Sequence, residues 1–213
     1  MTDGAPGIKA VIFDLGNVLV DFDHLIAARK ILRHTSKTPE ELFSFFFDSD
    51  ITRLFEAGAI SAPDFFLKVK EAAGLGLGYE EFVRIWNGIF FLSEKNRRVL
   101  EIARKLKNRY KTAFLSNINI LHLDYIKENF APVVNGFDFQ FYSCECGFVK
   151  PQEQIYRQAL EAMGVSANEA FYTDDRQELV EGARKLGIRG FVFSGPEQLE
   201  KDLAGSGVEI GQG

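Results

Sequence analysis

The sequence predicts an α/β fold: a Rossmann-like parallel sheet with helices on both faces, interrupted near its start by an inserted helical bundle. Three observations predict it. Short apolar, β-prone runs alternate with amphipathic helical stretches, the order that produces a parallel sheet buried on both faces. The alternation is suspended once, between about Asp23 and Ile89, where apolar residues recur only at helical spacing. With 213 residues, the chain can bury a full core and still carry such an elaboration.

The first strand, Ala10 to Phe13, ends in Asp14 and a Gly16-Asn17 turn signal. Helical spacing then links Leu25, Ala28 and Ile31, next Leu42, Phe43, Phe46 and Phe47, next Phe65, Phe66 and Val69, and last Phe82, Ile85 and Trp86. No strand signal interrupts this region. Pro39 and Pro63 suit first-turn positions, with Thr38 and Ser61 or Ala62 just ahead of them, and Gly74 to Gly78 predicts a flexible break. After Ser93, a helix from Glu94 to Lys107 leads into a second strand, Thr112 to Leu115, which ends at Ser116-Asn117. A helix near Leu121 to Phe130, a strand at Phe139 to Tyr142 and a loop to Lys150-Pro151 follow, then a helix to Met163. Strand Ala170 to Thr173 ends at Asp174-Asp175. Helix Leu179 to Leu186, stopped by Gly187, precedes a last strand from Gly190 to Phe193. The Gly-rich tail from Gly205 is expected to fray.

Composition excludes several classes. A net charge of -5 provides no basic field for nucleic acid. No apolar run reaches the ~18 residues of a membrane span, and the start lacks a charged segment followed by an apolar one, so a cytoplasmic protein is expected. Cys144 and Cys146 sit one residue apart in what reads as an extended segment, where they would point to opposite faces; two ordinary thiols are expected rather than a disulfide or a zinc site. The Phe-rich stretches at Phe43 to Phe47, Phe65-Phe66 and Phe90-Phe91 read as bundle core before they read as a substrate pocket. His24, His34 and His122 show no paired metal spacing, although His24, Asp21 and Asp23 follow the first strand closely enough to reach a site there.

In an open parallel sheet, ligands bind beyond the carboxyl ends of the strands, where loops and free helix N–H groups gather. Four predicted strands lead to polar groups at that edge: Asp14, Ser116-Asn117, Lys150 and Asp174-Asp175. Three carboxylates there offer hard oxygen ligands suited to Mg²⁺. The Lys150 ammonium would oppose their charge and hold an anionic substrate, and Ser116 could add a hydroxyl to a phosphoryl oxygen.

These segments bring a family into view. VIFDLGNVL, FLSN, the Lys150-Pro151 dipeptide after GFV, and FYTDD followed by GARKLGI stand in order. The chain resembles the haloacid dehalogenase-like hydrolase superfamily over nearly its whole length, in the phosphatase branch whose helical cap is inserted after the first motif. The resemblance implies a catalytic core from residues 1–20 and 94–213 and a cap from 21–93. It implies that Asp14 attacks phosphorus to form an aspartyl-phosphate, which water hydrolyses. Mg²⁺ would be held by Asp14, the Gly16 carbonyl and Asp175, with Asp174 helping, while Lys150, Ser116 and Asn117 manage the phosphoryl oxygens.

One departure stands out. Family phosphatases usually carry a second Asp two positions after the nucleophile, as acid and then base, and here that position is Gly16. The expected activity is hydrolysis of a small phosphorylated metabolite, such as a sugar phosphate, by a monomer or homodimer. The alternatives are a metal-independent haloacid dehalogenase-type hydrolase and a non-catalytic binding protein that keeps the fold. Two extra carboxylates beside a carboxylate nucleophile weigh against the metal-free enzyme, because they repel unless a cation joins them.

Overall fold

A computed structural model describes residues 7–41 and 49–211. The predicted helical spacing at Leu42, Phe43, Phe46 and Phe47 falls outside those residues. Strands β1 (Ala10–Phe13), β2 (Asp21–Phe22), β3 (Phe90–Phe91), β4 (Lys111–Ser116), β5 (Phe139–Tyr142), β6 (Ala170–Asp174) and β7 (Arg189–Val192) form two sheets. The main one has five strands in the order β5-β4-β1-β6-β7, every neighbouring pair parallel. In β1, at its centre, every residue is buried. This is why β1 reads as an unbroken apolar run rather than an alternating one.

Among the described residues the helices of seven residues or more are α1 (His24–Ile31), α2 (Asp50–Glu56), α3 (Ala62–Ala73), α4 (Tyr79–Asn87), α5 (Glu94–Leu106), α6 (Ile120–Asn129), α7 (Glu153–Met163), α8 (Gln177–Lys185) and α9 (Pro196–Gly205). Alternate residues of the sheet face two different cores. Val11, Phe13 and Phe114 pack with Val99, Ile102 and Leu106 of α5 and with Leu199 and Leu203 of α9. Ile12, Ala113, Leu115 and Tyr172 pack with Ile155, Tyr156 and Ala159 of α7 and with Ala183 of α8. Gly182 of α8 sits where an added Cβ would lie 2.8 Å from Pro151, so the small residue lets α8 close against the chain that carries Lys150.

A third cluster gathers the helices between β2 and β3. Phe55, Phe65, Phe82 and Trp86 stack with one another there, and Phe66 is buried beside them. Phe91, by contrast, is exposed. Ser61 caps α3 with Pro63 in its first turn, as the sequence predicts. Gly74 ends that helix in the left-handed region (φ 59°), but the Gly74-Gly78 stretch is not the loose break expected, because Leu75 and Leu77 are both buried in the cluster.

Two further expectations are corrected. The helical region opens and closes on strands: β2 pairs antiparallel with β3, a ladder too short to leave a period in the sequence. The two cysteines lie in a helical turn, Ser143–Cys146, rather than an extended segment, and both are free thiols. Among the described residues no helix is long and apolar enough to cross a membrane.

Candidate active site

Parallel strands deliver their carboxyl ends to one edge of the sheet, and the polar groups arrive there in register. Asp14 follows β1 directly, its amide donating to the Thr173 carbonyl at 2.8 Å and so extending the β1–β6 ladder by one residue. Ser116 ends β4 and Asp174 ends β6. Lys150 comes from the loop after β5, and its side chain is 1% exposed.

The Lys150 ammonium uses all three of its protons. It donates to Asp14 Oδ1 at 2.6 Å, to Asp174 Oδ2 at 2.7 Å and to the Leu115 carbonyl at 2.8 Å. A buried ammonium is costly unless every proton is satisfied and the charge is paired, and both conditions hold here. Asp174 also accepts from the Tyr172 hydroxyl and, through Oδ1, from the Arg176 amide at 2.9 Å. That second bond fixes the turn leading into α8.

One ligand oxygen each from Asp14, Asp174 and Asp175 lie within 4.8 Å of one another. Burial pushes the Asp14 carboxyl up, to about 7; the Lys150 ammonium opposes the shift, and Asp174 and Asp175 add to it. Burial also raises Asp175, against the hydrogen bond it accepts from Asn17 Nδ2 at 3.0 Å. Lys150 is raised by the two carboxylates against the cost of its own burial, so it stays an ammonium. Three acids share one cation at close range. That donor set, all hard oxygens in excess of the positive charge, suits a divalent cation such as Mg²⁺.

The first loop is built for close approach. A Cβ on Gly16 would stand 2.7 Å from the Phe22 ring and 3.7 Å from Asp14 Oδ2. Asn17 adopts the left-handed region (φ 56°), which Asn tolerates better than most residues, and its amide donates to the Val20 carbonyl at 2.8 Å. Lys95 Nζ reaches the Asn17 carbonyl at 2.7 Å and Asp21 at 2.6 Å, which pins the loop to α5.

Ser116 is buried beside the cavity. Asn117, the next residue, is engaged with Lys150. Its amide nitrogen donates to the Lys150 carbonyl at 2.9 Å and its oxygen accepts from the Lys150 amide at 2.7 Å, so both ends of the side chain hold the lysine's backbone. The site opens into a cavity of about 560 Å³ that also touches His24, Thr52, Glu56, Trp86 and Phe90 of the helical cluster. Burial depresses His24 to about 4 and His122 to about 3, so both are neutral near pH 7. Asn17, Tyr172, Arg176 and Glu56 were not singled out by the sequence. Asn17 read only as turn punctuation, and Glu56 belongs to a seven-residue helix too short to show a period.

A sequence model described as haloacid dehalogenase-like hydrolase matches residues 8–187. The chain belongs to the haloacid dehalogenase-like hydrolases. It is similar to the D-ribitol-5-phosphate phosphatase of Bacteroides thetaiotaomicron, with 24% identity over 86% of this chain and 91% of that one. It is also similar to phosphatase MT3486 of Mycobacterium tuberculosis, with 29% identity over 94% and 96%. A crystal structure of a haloacid dehalogenase family enzyme from Bacteroides thetaiotaomicron, in complex with magnesium and inorganic phosphate, superposes with a TM-score of 0.77 at 26% identity. It covers 87% of this chain and 94% of that one.

Proposed function

We propose that this hydrolase is a Mg²⁺-dependent phosphate monoester phosphatase that works through an aspartyl-phosphate on Asp14. The observation that carries the reading is the meeting of three carboxylates around a single buried ammonium. Such an arrangement calls for further positive charge, and a divalent cation with a phosphoryl dianion fits it with the charges in alternation. Bound Mg²⁺ would be held by Asp14, the Gly16 carbonyl and Asp175, with Asp174 alongside, and would draw charge from the phosphoryl oxygens.

The chain's own residues supply the rest. Asp14 Oδ2, the oxygen not bonded to Lys150, is the one left to attack phosphorus. Lys150 fixes the nucleophile's rotamer through Oδ1 and keeps a positive charge beside it. Asn117 holds Lys150 in place by both backbone groups, and Ser116 supplies a hydroxyl to a phosphoryl oxygen. The helices over the cavity act as a cap that excludes water and selects the organic part of the substrate. A cavity of about 560 Å³ suits a small phosphorylated metabolite. The substrate named for the Bacteroides thetaiotaomicron relative makes sugar and polyol phosphates the first class to try.

The test is phosphate release from a panel of such esters, D-ribitol 5-phosphate included, with Mg²⁺ and with excess chelator. Hydrolysis that requires Mg²⁺ and disappears in Asp14→Asn is the expected result. Turnover undiminished by chelator, or a tenth or more of the wild-type kcat in Asp14→Asn, would overturn the reading.

A further inference from the structure

With glycine at position 16, no side chain on the first loop can protonate the departing oxygen, and the acids that follow it in sequence are committed elsewhere. Asp21 is paired with Lys95 and accepts from Asn96 Nδ2 at 3.1 Å, which holds its carboxyl below the usual range although its burial acts the other way. Asp23 caps α1 by accepting from the Leu25 amide at 2.8 Å. His24 and His122 are neutral and have no proton to spare at pH 7.

Glu56 is differently placed. It is the last residue of α2 and lines the same cavity as Asp14, Gly16 and Asp175. Its backbone is anchored from two sides. The Ser143 hydroxyl donates to the Glu56 carbonyl at 2.6 Å and accepts from the Ile118 amide at 2.9 Å, which ties the end of α2 to the loop that carries Ser116 and Asn117. Two residues on, Gly58 has φ 69° and approaches the chain so closely that a Cβ would lie 2.2 Å from the Cys144 carbonyl oxygen. A helix end fixed in this way presents Glu56 to the cavity that Asp14 also lines.

The cations that act on Glu56 are each engaged with another acid: Arg176 with Glu178, Lys150 with Asp14 and Asp174, and Arg53 with Asp50. Arg176, Asp175, Lys150, Asp14, His24, His122 and Arg53 are the other charged or titratable groups lining the cavity. Burial outweighs the three cations and pushes its carboxyl up to about 7, from an ordinary value of 4.5.

We propose that Glu56 is the general acid, and then the general base, that replaces the aspartate absent at position 16. In the first step the bond from Asp14 to phosphorus forms and the phosphorus–oxygen ester bond breaks. The bonding pair leaves on the ester oxygen, and the Glu56 proton passes to it, so the products are the free alcohol, the aspartyl-phosphate and the Glu56 carboxylate. In the second step water attacks phosphorus, giving its proton to Glu56 and releasing phosphate and Asp14.

This inference rests on the phosphatase reading, and the experiment separates the two. Wild type, Glu56→Gln, Glu56→Asp and Asp14→Asn are compared on small phosphate esters of rising leaving-group pKa, with Mg²⁺ present and folding checked by circular dichroism. The quantity read is kcat/KM, which includes no step after the aspartyl-phosphate forms. Wild type should show a shallow dependence on leaving-group pKa. Glu56→Gln should show a steep one, losing ~10²-fold or more on alkyl esters and less than tenfold on aryl esters. Glu56→Asp should fall between them. In wild type the alkyl-ester rate should decline as pH rises through about 7, because an acid must hold its proton to give it, and that limb should be missing in Glu56→Gln. Equal slopes in wild type and Glu56→Gln, or a Glu56→Gln loss of the same size on every ester, would overturn the assignment. If Asp14→Asn remains active, the phosphatase reading itself fails.

Discussion

Lys150 shows how little freedom the site leaves a single side chain. Among the described residues its ammonium is the only positive charge bonded to Asp14 and Asp174, so Lys150→Met keeps the apolar stem and strands two carboxylates. We expect kcat/KM to fall by ~10² or more, the scale of a lost electrostatic stabiliser, whereas a lysine serving only to fill space would leave it nearly unchanged. Gly16 is constrained in the opposite sense. A Cβ on Gly16 would stand 2.7 Å from the Phe22 ring, so that ring would have to move. Gly16→Asp alone should therefore lower activity. Adding Phe22→Ala should return part of that loss, a non-additivity that a double-mutant cycle measures directly.

Among elements, the end of α2 is held by close tertiary contacts that leave no mark in the local sequence. Gly58→Ala would force a side chain at φ 69° into the Cys144 carbonyl, and should cost about 1 kcal/mol or more of stability in denaturant titration. A wild-type midpoint in that variant would mean that α2 is not pinned there. The central strands β1 and β6 were legible because burial on both faces writes them as largely apolar runs. The β2–β3 ladder was not, since its partners are two residues long and lie far apart in the chain. Asp14 and Asp174 could be picked out because each stands at the end of a strand, and Lys150 because it precedes a proline ahead of a helix. Asn117 could be picked out too, but its bonds to the Lys150 backbone are tertiary, and no local pattern distinguishes them from bonds to a ligand.

At the scale of the whole molecule, a crowd of buried acids should couple stability to pH and to metal. An Asp whose carboxyl rises from 3.8 when unfolded to about 7 when folded binds more protons in the folded state throughout that interval. Stability must then fall as pH rises through it, and the loss is complete above about 7. Surface acids held low by their partners, such as Glu169 beside Lys9, act in the opposite direction, so the total curve mixes both signs. Asp14→Asn isolates the buried contribution, because the amide keeps the shape and does not titrate. In chelator, the Tm of wild type should drop relative to that of Asp14→Asn between about pH 4 and pH 7. Mg²⁺ reverses the sign of the problem. A divalent cation favours the carboxylate forms and stabilises only the folded chain, by an amount that grows with its concentration over Kd. It should therefore raise the wild-type Tm at pH 7.5 and leave it nearly unmoved at pH 4.5, where binding must first displace protons. A Tm difference between wild type and Asp14→Asn that stays constant across this range would show that the carboxyl is not strained by its burial, and that the acids around Lys150 were already balanced without a metal.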